Sequence, residues 1–210
     1  MIIYIMNYLF KLSPLLTLIP LFLIAIGVYF QWLKIVIIGL GIFYFLFFFF
    51  RVPTRGMVSN HKNPILSPCY GTIKDIKQIG DYNHIVITLS VFDPHIQYVP
   101  YDGIVRRKLY KKGEFNMAYM LSKSQHNERM VTQFDTNIGD ITVSQIAGML
   151  TRRIHNFLLP LQRVIKGEHL GFICFGSRVD ILFNKNSKIR LNVTKGERVV
   201  GGETVLAYVY

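Results

Sequence analysis

The chain has 210 residues, is 51% hydrophobic, carries a formal net charge of +12 near neutral pH and contains only two cysteines. That length holds one compact domain plus an appendage, and Cys69 and Cys174 are too few and too widely spaced for a disulfide framework or a metal site. The basic residues are scattered among acids, without aromatic interleaving or zinc-finger spacing. This argues against nucleic acid as partner and suits an anionic membrane surface better.

Apolar residues crowd the N-terminus. From Leu15 to Phe50 the strongly polar side chains are Gln31 and Lys34, and no acidic residue precedes Asp75. A single helix over this block would be roughly 54 Å long, against a hydrocarbon core of about 30 Å. Gln31, Trp32 and Lys34 near its middle suit an interface rather than the bilayer centre. The expectation is a transmembrane helical hairpin, residues 15–30 and 35–50, making residues 1–50 a membrane anchor and 51–210 the body. A cleaved signal peptide fits poorly, because a second apolar stretch follows at once with no small-residue cleavage site. Lys11, Arg51, Arg55 and Lys62 place the body on the cytoplasmic face by the positive-inside rule, with Lys34 weighing the other way.

Beyond Arg51 a period of two dominates. Strands are expected at His84–Phe92, at Ile141–Ile146 after a Gly139-Asp140 turn, at Leu170–Phe175, at Arg178–Phe183 and at Thr204–Tyr210. The best helical window is Ile146–Leu159, ended by Pro160. Val164-Ile-Lys-Gly-Glu-His-Leu-Gly171 echoes Val193-Thr-Lys-Gly-Glu-Arg-Val-Val-Gly201, each reading as strand, Lys-Gly turn, strand. The expected fold is α+β and β-dominated, with the helical hairpin followed by a barrel-sandwich or lipoyl-like β domain.

No Gly-x-Ser-x-Gly elbow, phosphate loop or His-Glu-x-x-His occurs. What remains is Phe175-Gly176-Ser177-Arg178, a Gly-Ser pair between two apolar strands, which on spacing alone is usually a turn. Several blocks in order say more: Phe50-Arg-Val-Pro-Thr-Arg55, Ser67-Pro-Cys-Tyr-Gly71, Ser90-Val-Phe-Asp-Pro-His95 with Pro100, Asn127-Glu-Arg129, Gln145-Ile-Ala-Gly148 with Arg152-Arg-Ile154, and Phe175-Gly-Ser-Arg-Val-Asp180. From Phe49 to nearly the C-terminus the chain resembles the short, membrane-anchored phosphatidylserine decarboxylases.

The resemblance implies a proenzyme. Ser177 attacks the Gly176 carbonyl, the peptide becomes an ester, and elimination and hydrolysis cut the chain into β and α chains. A pyruvoyl cofactor is left at Ser177, and it drives decarboxylation of phosphatidylserine to phosphatidylethanolamine. The implied partners are phosphatidylserine and the membrane, with homo-oligomers left open. His95 is the implied proton-transfer residue; where some relatives carry a second histidine, this chain has Tyr98. Tyr70 stands where the family has an aspartate, so Asp93 or Asp75 is expected to substitute. The alternative reading is a processing-impaired pseudoenzyme binding anionic lipid or a partner. A carrier modified at Lys166 or Lys195 is a further rival, although each lysine precedes Gly-Glu rather than the usual Met.

Overall fold

The computed structural model describes residues 14–54, 63–117, 119–149, 154–174, 177–185 and 188–210. The chain divides between Pro53 and Thr54 into two compact units.

In the first unit, helix α1 (Pro14–Tyr29) has 16 residues and α2 (Leu33–Phe49) has 17. At ~1.5 Å per residue they reach about 24–26 Å, less than the ~30 Å of a hydrocarbon core. Among the described residues no helix is long and apolar enough to cross a membrane. The expected transmembrane hairpin is therefore corrected. The apolar block forms two shorter helices that pack against each other, joined through Phe30-Gln31-Trp32, with Gln31 in the left-handed region (φ 56°).

The second unit is built from strands β1 (Ile65–Leu66), β2 (Gly71–Ile79), β3 (Tyr82–Thr88), β4 (Ile96–Tyr98), β5 (Gly103–Lys111), β6 (Arg129–Thr136), β7 (Gly139–Ile146), β8 (Ile154–Asn156), β9 (Arg163–Val164), β10 (His169–Ile173), β11 (Arg178–Asn184), β12 (Ile189–Leu191), β13 (Arg198–Val199) and β14 (Val205–Val209), plus one helical turn, α3 (Leu121–Ser124). Eight strands form an antiparallel sheet in the order β13-β2-β3-β11-β7-β6-β5-β9, while β4-β10-β8 and β1-β14-β12 form two small sheets. Alternate residues of the large sheet, among them Ile85, Ile87, Val143, Val179, Ile181 and Phe183, make one core with Leu170, Ile173 and Leu206. Burying each such side chain contributes about 1.5–3 kcal/mol.

Two local expectations change. The helical window over 146–159 is not a helix in its described parts: β7 extends to Ile146 and Ile154–Asn156 is strand β8, paired with β10. Ladder pairing with Arg178 and Arg129 holds Ile146 extended, so tertiary context overrides a local apolar pattern. The echoed Lys-Gly pairs do form turns, with Gly167 and Gly196 at φ 85° and 90°. Their flanking strands nevertheless pair elsewhere, β9 with β5, β10 with β4 and β8, and β13 with β2. They are not the two-strand hairpins of a lipoyl carrier.

Gly71 opens β2 beside β3. It has φ +148°, and a β-carbon there would lie 2.4 Å from the Thr88 carbonyl oxygen, a backbone atom that cannot turn aside. Gly71→Ala should cost on the order of 1–3 kcal/mol or more in urea denaturation; a variant as stable as the parent would show that β2 can shift freely.

Candidate active site

Strand pairing brings distant candidates to one junction. β3 and β11 are antiparallel neighbours in the large sheet, from Arg178 opposite Thr88 to Asn184 opposite Tyr82. β4 and β10 are antiparallel neighbours in a small sheet. The link from β3 to β4, residues 89–95, is therefore held at both ends by residues from β10 and from the start of β11. Leu89 N–H donates to Ser177 O (2.9 Å) at one end, and Ile173 N–H donates to His95 O (3.3 Å) at the other.

Ser177 is fully buried, and its Oγ has no hydrogen-bond partner. A buried hydroxyl left unsatisfied costs about 1–3 kcal/mol, so this one adds nothing to the fold by hydrogen bonding. Gly176 and Phe175 lie outside the described residues, as do Arg152 and Arg153. His95 is also fully buried, and its Nδ1 lies 2.6 Å from the Asp93 carbonyl oxygen. An oxygen acceptor requires that Nδ1 carry the proton, which leaves the Nε2 lone pair as the acceptor. Gln97 Nε2 donates to His95 O (2.6 Å) and Gln145 Nε2 to Gln97 Oε1 (2.9 Å). Asn156 Nδ2 donates to Gln145 Oε1 (3.0 Å) and Thr132 Oγ1 (2.8 Å). This amide chain ties the His95 backbone to the large sheet.

The expected substitutes for the aspartate are otherwise engaged. Asp93 is buried; its carboxylate accepts from Arg198 Nη2 (2.6 Å) and from Ser90 N (2.8 Å). It serves the histidine through its backbone carbonyl. Asp75 pairs with Lys77 on β2 at 4.0 Å. Tyr70 packs against Tyr98, ring centroids 6.2 Å apart, and Tyr98 against His169 at 5.6 Å. Tyr70 and Tyr98, the two tyrosines singled out in the sequence, are thus in contact. Beside Tyr70, burial first, then the charges of Asp93 and Asp180, push the Cys69 thiol well above its usual range. A thiol held neutral is no nucleophile at ordinary pH. Lys166 and Lys195 sit in their Lys-Gly turns, and the Lys166 N–H donates to Asp102 (2.7 Å).

A buried charge network beside Ser177 was not foreseen from the sequence. Arg178 grips Asp180 with two bonds of 2.6 Å, and its Nη1 reaches Ser124 Oγ on α3 (2.9 Å). His84 Nε2 lies 3.0 Å from Asp180 Oδ2. The alternation Arg-Val-Asp was a usable signal, since it puts both charges on the strand face opposite Val179 and Ile181. Nothing local identified His84 on β3 or Ser124 as their partners.

Comparison with known proteins identifies the family. Residues 42–207 match the family described as phosphatidylserine decarboxylase. The chain is 38% identical to the phosphatidylserine decarboxylase proenzyme of Wolbachia pipientis wMel, over 76% of this chain and 74% of that one. It is 35% identical to the proenzyme of the same name from Carboxydothermus hydrogenoformans, over 83% and 84%. It is also 36% identical to a putative archaetidylserine decarboxylase proenzyme of Methanosarcina acetivorans, over 80% and 77%.

The network carries a pH signature. Burial alone would raise the Asp180 carboxyl, but hydrogen bonds from His84 and Arg178 and the Arg178 charge outweigh it and hold the pKa below the usual carboxylate value. A carboxyl depressed by folding stabilises the protein above its unfolded pKa, near 4, and loses that contribution as pH falls through the folded value. Asp180→Asn should abolish this acid-side loss and, by stranding a buried guanidinium, cost about 3–5 kcal/mol at neutral pH. Urea titrations from neutral pH to about pH 2 check both effects; equal acid sensitivity in parent and variant would contradict the assignment.

Proposed function

The chain belongs to the phosphatidylserine decarboxylase family, and from that premise we propose that Ser177 is both its point of self-cleavage and the source of its pyruvoyl group. The protein is a phosphatidylserine decarboxylase proenzyme, a carbon–carbon lyase that converts phosphatidylserine to phosphatidylethanolamine. The observation that carries the assignment to Ser177 is its buried, unbonded hydroxyl. In a pyruvoyl group the Ser177 Cβ is a methyl without Oγ and the new carbonyl is on Cα, so losing the unbonded hydroxyl breaks no side-chain hydrogen bond of the fold, and the residues present fit the group.

In the first stage the Ser177 hydroxyl gives up its proton as Oγ attacks the Gly176 carbonyl carbon. His95 Nε2 is the assigned acceptor, because Nδ1 is committed to the Asp93 carbonyl. The Gly176–Ser177 C–N bond breaks to give an ester and a free amine, elimination across Cα–Cβ of Ser177 releases the upstream carboxylate, and hydrolysis of the resulting enamine expels ammonia and leaves the new terminus. In the second stage the pyruvoyl group supplies an electron sink for loss of carbon dioxide. His95 Nε2 holds the proton that the head-group carbon takes up, while the full burial of Ser177 and His95 limits access of bulk water. The two product chains stay together, since β11 is laddered between β3 and β7, β13 pairs with β2, and β14 pairs with β1.

Intact-mass measurement tests this reading. The parent should appear as two chains, the second beginning at residue 177 with a blocked N-terminus. Ser177→Ala should remain a single chain without decarboxylase activity; activity from an uncut chain would sink the pyruvoyl assignment. His95→Ala should slow cleavage by about 10²–10⁴-fold, and normal maturation would return His95 to a structural role.

The Tyr70–Tyr98 contact adds a second prediction. Tyr70→Asp alone would set a carboxylate against a phenol, whereas Tyr70→Asp with Tyr98→His would create a charged pair able to orient an imidazole. Cleavage rates of the two single variants and the double should show the double exceeding the product of the singles; simple multiplication would show that the two positions act independently.

A further inference from the structure

An enzyme for a lipid head group must meet a lipid surface, and one edge of the large sheet carries the chemistry for that meeting. β9 pairs with β5 only at Gly103 and Ile104, so among the described residues the outer side of β5 is open from Arg106 to Lys111. Residues 106–112 read Arg-Arg-Lys-Leu-Tyr-Lys-Lys, five cations and no acid. The cations are not equivalent. Arg106 is neutralised by Asp135 (2.6 Å) and Asp140 (2.9 Å). Lys108 is spent on the carbonyls of Leu158 (2.5 Å) and Asn156 (3.3 Å), and burial lowers its pKa. Arg107 is exposed and donates to the neutral Gln133. Lys111 and Lys112 are exposed, with no ion pair among the described residues.

The second observation is the loop that Lys108 holds against β5. Leu159 is 67% exposed and Leu161 81% exposed. Leu161 has φ +65°, a conformation that is strained for a leucine. Leu161 N–H to Val105 O (2.7 Å) and Val105 N–H to Gln162 O (2.9 Å) fix it there. Exposed Ile104 and Ile165 widen the apolar patch. Cations on an open edge also prevent sheets from pairing edge to edge. That need is met by charge alone and does not account for a strained leucine held in water.

Register places this edge relative to the site. Arg178, Ile146, Arg129 and Lys111 lie in one row across β11, β7, β6 and β5. Lys111 and Lys112 are thus at the end of the sheet where Ser177 enters, three strand spacings or about 14 Å across. We propose that the open β5 edge docks the body on an anionic phospholipid bilayer, with Leu159 and Leu161 in the head-group layer and Arg107, Lys111 and Lys112 over lipid phosphates. This inference rests on the decarboxylase reading for its purpose, but its test reads binding and not turnover.

The full-length protein is sedimented at low salt with phosphatidylcholine vesicles and with vesicles of phosphatidylcholine and phosphatidylglycerol, and the preference for the anionic vesicles is the readout. The triple variant Arg107→Gln, Lys111→Gln, Lys112→Gln should lower that preference on the order of 100-fold, at about fivefold per cation near such a surface. Removing the same charge from the opposite edge (Lys74→Gln, Lys77→Gln, Lys195→Gln) should leave it near the parent value. Leu161→Gly should raise the melting temperature, because the strain is relieved, yet weaken vesicle binding several-fold. The uncut Ser177→Ala protein should keep the parent preference, so failure of processing and failure of docking are read separately. An undiminished preference in the β5 triple variant, or an equal loss in the opposite-edge control, overturns the proposal.

Discussion

The constraint on which the rest depends is that β11 is hydrogen-bonded on both sides, to β3 and to β7, from its first residue. Ser177 immediately precedes that residue. A chain end is ordinarily the least ordered part of a domain, but an end created here would emerge from the interior of an eight-stranded sheet. Both neighbours of Arg178, Thr88 and Ile146, belong to the other side of the proposed cut. The two product chains are interleaved strand by strand, and separating them would mean unfolding the core.

The charge network reinforces that placement. Arg178 and Asp180 point to the same side of one strand and neutralise each other locally, while Ser124 and His84 bind them from a helical turn and from β3. A buried pair of this kind is weak evidence for net stability, because desolvation offsets much of the attraction. Its clearer effect is on geometry: a slip of β11 by one residue would carry both charges into the face occupied by Val179 and Ile181. The residue next to Ser177 therefore tolerates only one register.

On the other side of the junction, polar groups are committed differently. Asp93 neutralises Arg198 with its side chain and sets the histidine tautomer with its backbone. Tyrosines stand at residues 70 and 98, and their rings lie in aromatic contact. The curated relatives bear the proenzyme name, consistent with a self-processing chain whose histidine is oriented by a main-chain carbonyl.

The sequence alone determined what depends on short range. Period-two alternation located strands within the expected segments 84–92, 141–146, 170–175, 178–183 and 204–210, although the first ran past the end of β3 at Thr88, and the Lys-Gly pairs located two turns, because side-chain alternation and glycine torsions are properties of a few adjacent residues. Ordered motifs identified the family and singled out Ser177, His95 and Tyr70. Length and hydropathy misled where geometry has a threshold: the apolar block looked like two membrane spans, and its helices are too short. The window over 146–159 misled because an apolar pattern without pairing information serves helix or strand. Only the tertiary structure decided that the link over residues 89–95 is held at both ends, that Asp93 is held by Arg198, that Tyr70 meets Tyr98, and that Arg178 and Asp180 are joined by His84. Each of these contacts spans dozens of residues of chain and exists because β3 pairs with β11 while β4 pairs with β10. Strand partnership is a global choice made by burial and ladder hydrogen bonding together, and no local window of sequence contains it.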